Sequence, residues 1–208
     1  MIGGKQLTVY WHVDDLKISC VDANKVTKMI LWLESEYGEM NGSRGERHYY
    51  LVMWLDYSIP GEFHISMEEY LRGVLDDFPE EITVTPETPA TSNLFNVRED
   101  SEQEILDETW SKAFHHAVAQ LLFTRIQCRK DTQTAIAFRT TRVRKPDKYD
   151  WKKLRRFLGY LKITNKLSLI LRYYGVNVLK WWVDASYAAH DNMRGHTRGN
   201  ISMGKDGL

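Results

Sequence analysis

Cysteine is scarce in this chain: Cys20 and Cys128 are the only two in 208 residues. That excludes a small, disulfide-stapled secreted scaffold and suits a reducing compartment, with a disulfide between the two open but unforced. No Cys/His pair has the spacing of a structural zinc site. Net charge is missing altogether, since Lys plus Arg and Asp plus Glu both number 28, so no global field draws the molecule to nucleic acid. No apolar run approaches the length of a membrane span, and the N-terminus lacks a signal-peptide core. A soluble protein without a membrane partner is expected, intracellular and either cytoplasmic or nuclear. Internal repeats and low-complexity tracts are absent as well.

What is present argues for a folded chain. The apolar fraction is 43%, with 7 tryptophans, and the length suffices for one or two domains with a real core. Charge is unevenly placed despite its balance. Acids dominate from Glu99 to Glu108, and cations crowd the segment from Arg139 to Arg156.

The most informative stretch is Lys5 to Cys20. Val9, Trp11 and Val13 alternate with Thr8, Tyr10 and His12, and Leu16, Ile18 and Cys20 alternate again after a pair of acids. This predicts a β-hairpin near residues 5–20 with Asp14 and Asp15 at its tip. Adjacent carboxylates repel each other, so they are tolerated in solvent or drawn together by a cation. Hard oxygen ligands on a rigid hairpin are what a Mg²⁺ site for phosphoryl transfer requires. A charged, solvated turn is the plain alternative.

Further along, Asp22 can cap a helix near 22–38, with Val26, Met29, Ile30 and Leu33 at helical spacing and Gly38 as a stop. Tyr49–Tyr57 reads as one strand and Phe63–Ser66 as its return, a second hairpin near 47–66. Met67–Phe78 reads as a short helix ending before Pro79. Residues 79–106, proline-bearing and polar, read as a connector and domain boundary. A helical bundle is expected over 107–165, with stripes at Phe114, Val118, Leu121 and Leu122, at Ala135, Ile136, Phe138 and Val143, and at Trp151, Leu154, Phe157, Leu158 and Leu161. Leu167–Leu171, Val178–Val183 and Ile201–Met203 read as strands, with turns at Gly175 and Gly195. The fold class is α+β.

The Val13-Asp14-Asp15 sequence resembles the active-site hairpin of reverse transcriptases, in the Tyr-Val-Asp-Asp version of Ty1/copia-type retrotransposon polyproteins. His12 stands where that family has an aromatic residue. Later blocks resemble the family in the same order. His48–Met53 is similar to the hairpin that positions the primer, with Val52 where the family has Gly. Ile65–Tyr70 is similar to its strand-to-helix segment and Thr85–Pro89 to its Thr-Pro connector. Phe114–Phe123 resembles its thumb segment, and Asp131–Phe138 loosely matches the Arg-Pro-Asp-Ile-x-x-Ala-Val block. Trp151–Thr164 resembles its Arg-Tyr-Leu-Lys-Gly-Thr helix, and Trp182–Ala188 the opening strand of its ribonuclease H domain. Arg194–Gly199 is similar to the start of the next strand.

The resemblance implies a partial palm over 1–78, a connector over 79–106, a thumb-like helical region over 107–165 and a truncated ribonuclease H-like start over 166–208. It implies RNA-directed DNA polymerisation on an RNA/DNA template–primer, with Asp14 and Asp15 as catalytic Mg²⁺ ligands and Asp184 as the first metal-binding acid of the ribonuclease H site. The family's third palm carboxylate and fingers lie upstream, and three further ribonuclease H acids lie downstream. Met1 thus looks like an internal methionine of a longer polyprotein. As a fragment, the chain is expected to bind Mg²⁺ weakly or not at all and to be inactive alone.

The alternative is a non-enzymatic remnant that binds nucleic acid or a protein partner through its basic helical segment. Arg144, Lys152, Lys153 and Arg156 are the candidate phosphate contacts, because they sit within and just before the Trp151–Leu161 helix, and they lie off its apolar stripe. A solvated helix face is the competing explanation for them. His48, His64, His115, His116, His190 and His196 are not arranged as metal ligands, and Trp181-Trp182 suits alternate burial in a strand.

Overall fold

The computed structural model describes residues 4–172, 179–188 and 193–202. The expected turn at Gly175, together with Val178, His190 and Met203, lies outside the described residues. Helices and antiparallel sheets share the chain, and the fold class is α+β.

Strands β1 (Leu7–His12) and β2 (Asp15–Cys20) pair antiparallel, with His12 opposite Asp15. Helix α1 (Ala23–Tyr37) follows. Asp22 caps it by accepting from the Asn24 amide at 3.2 Å, and Gly38 ends it at φ 93°. Only Leu33 of this helix is buried.

The expected Tyr49–Tyr57 strand is broken in two. Strands β3 (Arg47–Tyr50) and β4 (Met53–Asp56) form a hairpin of their own, joined by Leu51 and Val52 at φ 49° and 56°. A continuous apolar run hides such a turn, because neither residue carries a turn signature. Strand β5 (Glu62–Ser66) then pairs with β4. Strand β6 (Leu169–Arg172) joins the other side of β5, giving the order β3-β4-β5-β6. The segment from Leu167, expected with the C-terminal strands, therefore completes a sheet begun more than a hundred residues earlier (Arg172 Nε donates to Glu62 Oε1 with a sequence separation of 110).

Helices α2 (Glu68–Asp76), α3 (Glu108–Gln127), α4 (Gln133–Thr140) and α5 (Lys148–Ile163) make the main core. Leu71, Val74 and Phe78 pack with Phe114, Val118, Leu121, Ile136, Phe138, Leu154, Phe157 and Leu158. Each fully buried side chain of this kind stabilises by about 1.5–3 kcal/mol. One core thus spans the expected junctions at 78/79 and 106/107. A second cluster, Met53, Leu55, Met67 and Cys128, sits under the sheet, and Tyr70 touches both.

Residues 79–106 are extended but not a free linker. Ile82 and Leu94 are buried in the main core. Along α5, Lys162 Nζ donates to Ile82 O at 2.8 Å, Arg156 to Thr88 O and Oγ1 at 2.7 and 2.9 Å, and Lys153 Nζ to Leu94 O and Asn96 O at 3.0 and 2.6 Å. Arg155 pairs with Glu80 at 2.8 Å. Ile105 bridges Asp147 at the far end. The segment is a strap laid along α5, and Gly159 lets it approach: a Cβ there would stand 2.3 Å from Val84 O. The last hairpin pairs β7 (Lys180–Ser186) with β8 (His196–Ser202), and His196 meets Phe95 of the strap at 4.9 Å between ring centroids.

Candidate functional site

The tip of the first hairpin is a two-residue turn, Val13 and Asp14, before Asp15 opens β2. Val13 has φ 52°, a left-handed conformation that a β-branched residue rarely takes. The exposed Trp11 indole braces the turn, its Nε1 donating to Val13 O at 2.5 Å. On one face lie Leu7, Val9, Trp11, Leu16, Ile18 and Cys20, and on the other Thr8, Tyr10, His12, Asp15, Lys17 and Ser19. Lys17 reaches the Tyr57 ring at 4.9 Å, linking the hairpin to the end of β4.

Asp14 and Asp15 are both exposed. Among the described residues no group of three or more His, Cys, Asp or Glu side chains is placed to hold a metal ion. Mg²⁺ needs a near-octahedral oxygen shell and sheds water reluctantly, usually binding through carboxylates together with substrate phosphates. Two solvated neighbours without a third ligand do not fit a two-ion polymerase centre, so no catalytic step is assigned to them in this chain.

Asp184 lies in β7 directly opposite Arg198 of β8 and is exposed. It shares its face with Trp182, whereas Trp181 and Val183 point to the other face and are 68% and 70% exposed. The two candidate acid sites sit on separate sheets. His115 and His116 are exposed on α3.

The basic candidates divide. Arg144 and Lys152 are exposed. Lys153 and Arg156 are half-buried and occupied by strap carbonyls. Lys153 also lies over the Tyr149 ring at 4.3 Å, and burial pushes its ammonium down to about 8. Lying off the apolar stripe did not leave these two in solvent, because the strap covers that side of the helix.

Sequence reasoning missed the most heavily bonded cation. Arg129, 2% exposed, donates from Nε and Nη2 to the two Asp131 oxygens at 3.0 and 2.8 Å, and from Nη1 and Nη2 to Thr164 O and Oγ1 at 3.0 and 2.9 Å. Tyr160 adds its hydroxyl to Asp131 Oδ2 at 2.7 Å. Burial raises the Asp131 carboxyl, but the Arg129 bonds and charge outweigh it and leave the group below its ordinary value. The cluster ties the α3–α4 corner to the end of α5. Its one sequence signal was the Arg-x-Asp spacing of 129 and 131.

Arg139 is buried too, donating to Ala135 O at 2.6 Å and Lys153 O at 2.7 Å, with Nε unpartnered. A cleft of about 420 Å³ is lined by Arg47, Trp54, Ser66, Glu68, Glu69 and Arg72. Its two arginines and two glutamates balance, and none of the candidate residues lines it. A scan of protein-family models, a search of curated proteins and a search of solved structures each return no match to this chain.

Proposed function

We propose that the chain is a fragment of a Ty1/copia-type reverse transcriptase, carrying the second part of the palm, the thumb-like helices and the opening strands of a ribonuclease H-like region. The Leu51–Val52 turn carries this reading. Val52 stands where the family has Gly, and its backbone is left-handed at φ 56°, the conformation that Gly serves without strain. On this reading a backbone requirement survives where the residue that meets it does not. The carboxylate pair at a hairpin tip and the order of elements through α5 support the same reading.

On this reading the inherited chemistry is nucleotidyl transfer to a primer on an RNA or DNA template. Asp14 and Asp15 are then two members of a larger ligand set for Mg²⁺. Primer extension tests it directly. The 208-residue chain alone should give no product. Supplied with a segment bearing the fingers and upstream palm strand of a polymerase of this type, it should extend a primer, and Asp14→Asn should abolish the product. No product under any supplementation would sink the polymerase reading.

The second reading is a non-enzymatic binder of nucleic acid, favoured by the exposure of Arg144 and Lys152. Binding to duplex should then weaken with salt, with a log–log slope of about −0.9 per phosphate neutralised. Arg144→Glu with Lys152→Glu should flatten that slope while leaving helix content unchanged. A salt-independent affinity would remove this reading.

A further inference from the structure

We propose that Thr88 is a phosphorylation site and that Arg156 is built to receive the phosphate. Thr88 is exposed on the strap and is followed by Pro89, the local pattern of acceptors used by proline-directed protein kinases. Pro89 fixes its own φ and biases Thr88 toward an extended backbone. Thr85-Pro86 stands three residues upstream, but among the described residues no cation is bonded to its hydroxyl. At Thr88 the receptor already exists. Arg156 Nη2 donates to Thr88 Oγ1 at 2.9 Å and Nη1 to Thr88 O at 2.7 Å. The hydroxyl in turn donates to Ala90 O at 3.0 Å. Arg156 has no carboxylate partner among the described ion pairs, so its charge is held against neutral oxygens only.

The γ-phosphoryl group would pass from ATP to Oγ1. The bond from phosphorus to the oxygen bridging the β-phosphate breaks, the Oγ1–P bond forms, ADP leaves and the hydroxyl proton goes to the kinase base. The bond to Ala90 O is lost with that proton. The dianion replaces a neutral acceptor in front of a guanidinium already aimed at it, and a guanidinium binds phosphate through two parallel bonds. Between Ile82 and Asn96 the strap is otherwise fastened by neutral carbonyls, at Ile82, Leu94 and Asn96, its one acid partnered to α5 near this stretch, among the described residues, being Glu80, which pairs with Arg155. Thr88 is therefore the point where one added charge changes its hold on α5. This inference does not depend on the polymerase reading, because it uses only the strap and α5.

The experiment treats the full chain with a proline-directed kinase and ATP, and maps the phosphate by peptide mass. Limited proteolysis then reports how often the strap opens. Thr88 should carry the phosphate, and cleavage within 79–106 should slow by roughly tenfold, the worth of one charge-assisted bond. The slowing should vanish in Arg156→Gln. Phosphorus NMR gives a readout that needs no variant: the phosphate's second pKa should be lower in the folded chain than in urea. A phosphate absent from Thr88, faster cleavage after modification, or an identical pKa in both states would overturn the proposal.

Discussion

Val13, Leu51 and Val52 hold left-handed backbones that side chains disfavour. Each such residue costs about 1–2 kcal/mol. Val52 is exposed, so little burial offsets that cost. Val52→Gly should therefore stabilise the chain by about 1 kcal/mol, after allowing for the extra entropy that Gly loses on folding. A higher urea midpoint with an unchanged slope is the expected readout, and a lower midpoint would mean that the Val52 side chain packs to advantage. At this scale the sequence was legible where chemistry is local. Asp22 caps α1 and Gly38 ends it as their residue types foretell. The two-residue Leu51–Val52 turn was not legible, because apolar residues occupy positions whose conformation only the fold imposes. Buried Arg129 escaped for a related reason, since a cation reads as surface until its partners from another helix are known.

Among the elements, helices with strong apolar periodicity were the easiest to read. Phe114, Val118 and Leu121 on α3, and Leu154, Phe157 and Leu158 on α5, are buried as their spacing implies. The strap was read as a connector because its fastenings leave no period: long cations of α5 bond its backbone carbonyls, and Ile82 and Leu94 are isolated apolar anchors. The same fastenings hold Lys153 and Arg156 against strap oxygens, unlike the exposed Arg144 and Lys152. Gly159→Ala tests the strap as an element. The added methyl meets a backbone oxygen that cannot swing aside. A loss of about 1–3 kcal/mol is expected, with faster protease cleavage inside 79–106. Unchanged cleavage would show that α5 and the strap separate without cost.

For the molecule as a whole, the described residues form three sheets beside a main helical core, and the candidate acids occupy the two two-stranded hairpins rather than the core. Asp14 and Asp15 were legible as a hairpin tip because period-two alternation on both sides brackets them. Whether a third ligand stands nearby was not, since that depends on long-range placement. Among the described residues none does. Strand β6 is the long-range link that closes the four-stranded sheet. A chain ending at residue 166 should keep the helical core but leave one edge of β5 open. An open edge of this kind pairs with other chains, so light scattering should report self-association of the truncated form. A monomer at the same concentration would show that β5 needs no partner on that side.

Pairing of β5 with β6 also sets an order of events. During synthesis, β3, β4 and β5 emerge long before Leu169–Arg172, with α2 to α5 between them. The meander must therefore wait, half-finished, until more than a hundred further residues have left the ribosome. Glu62 and Arg172 meet only at that last step. Their ion pair marks the moment at which the sheet becomes complete, and anything that slows elongation between them prolongs the interval in which a neighbouring nascent chain can take the place of β6.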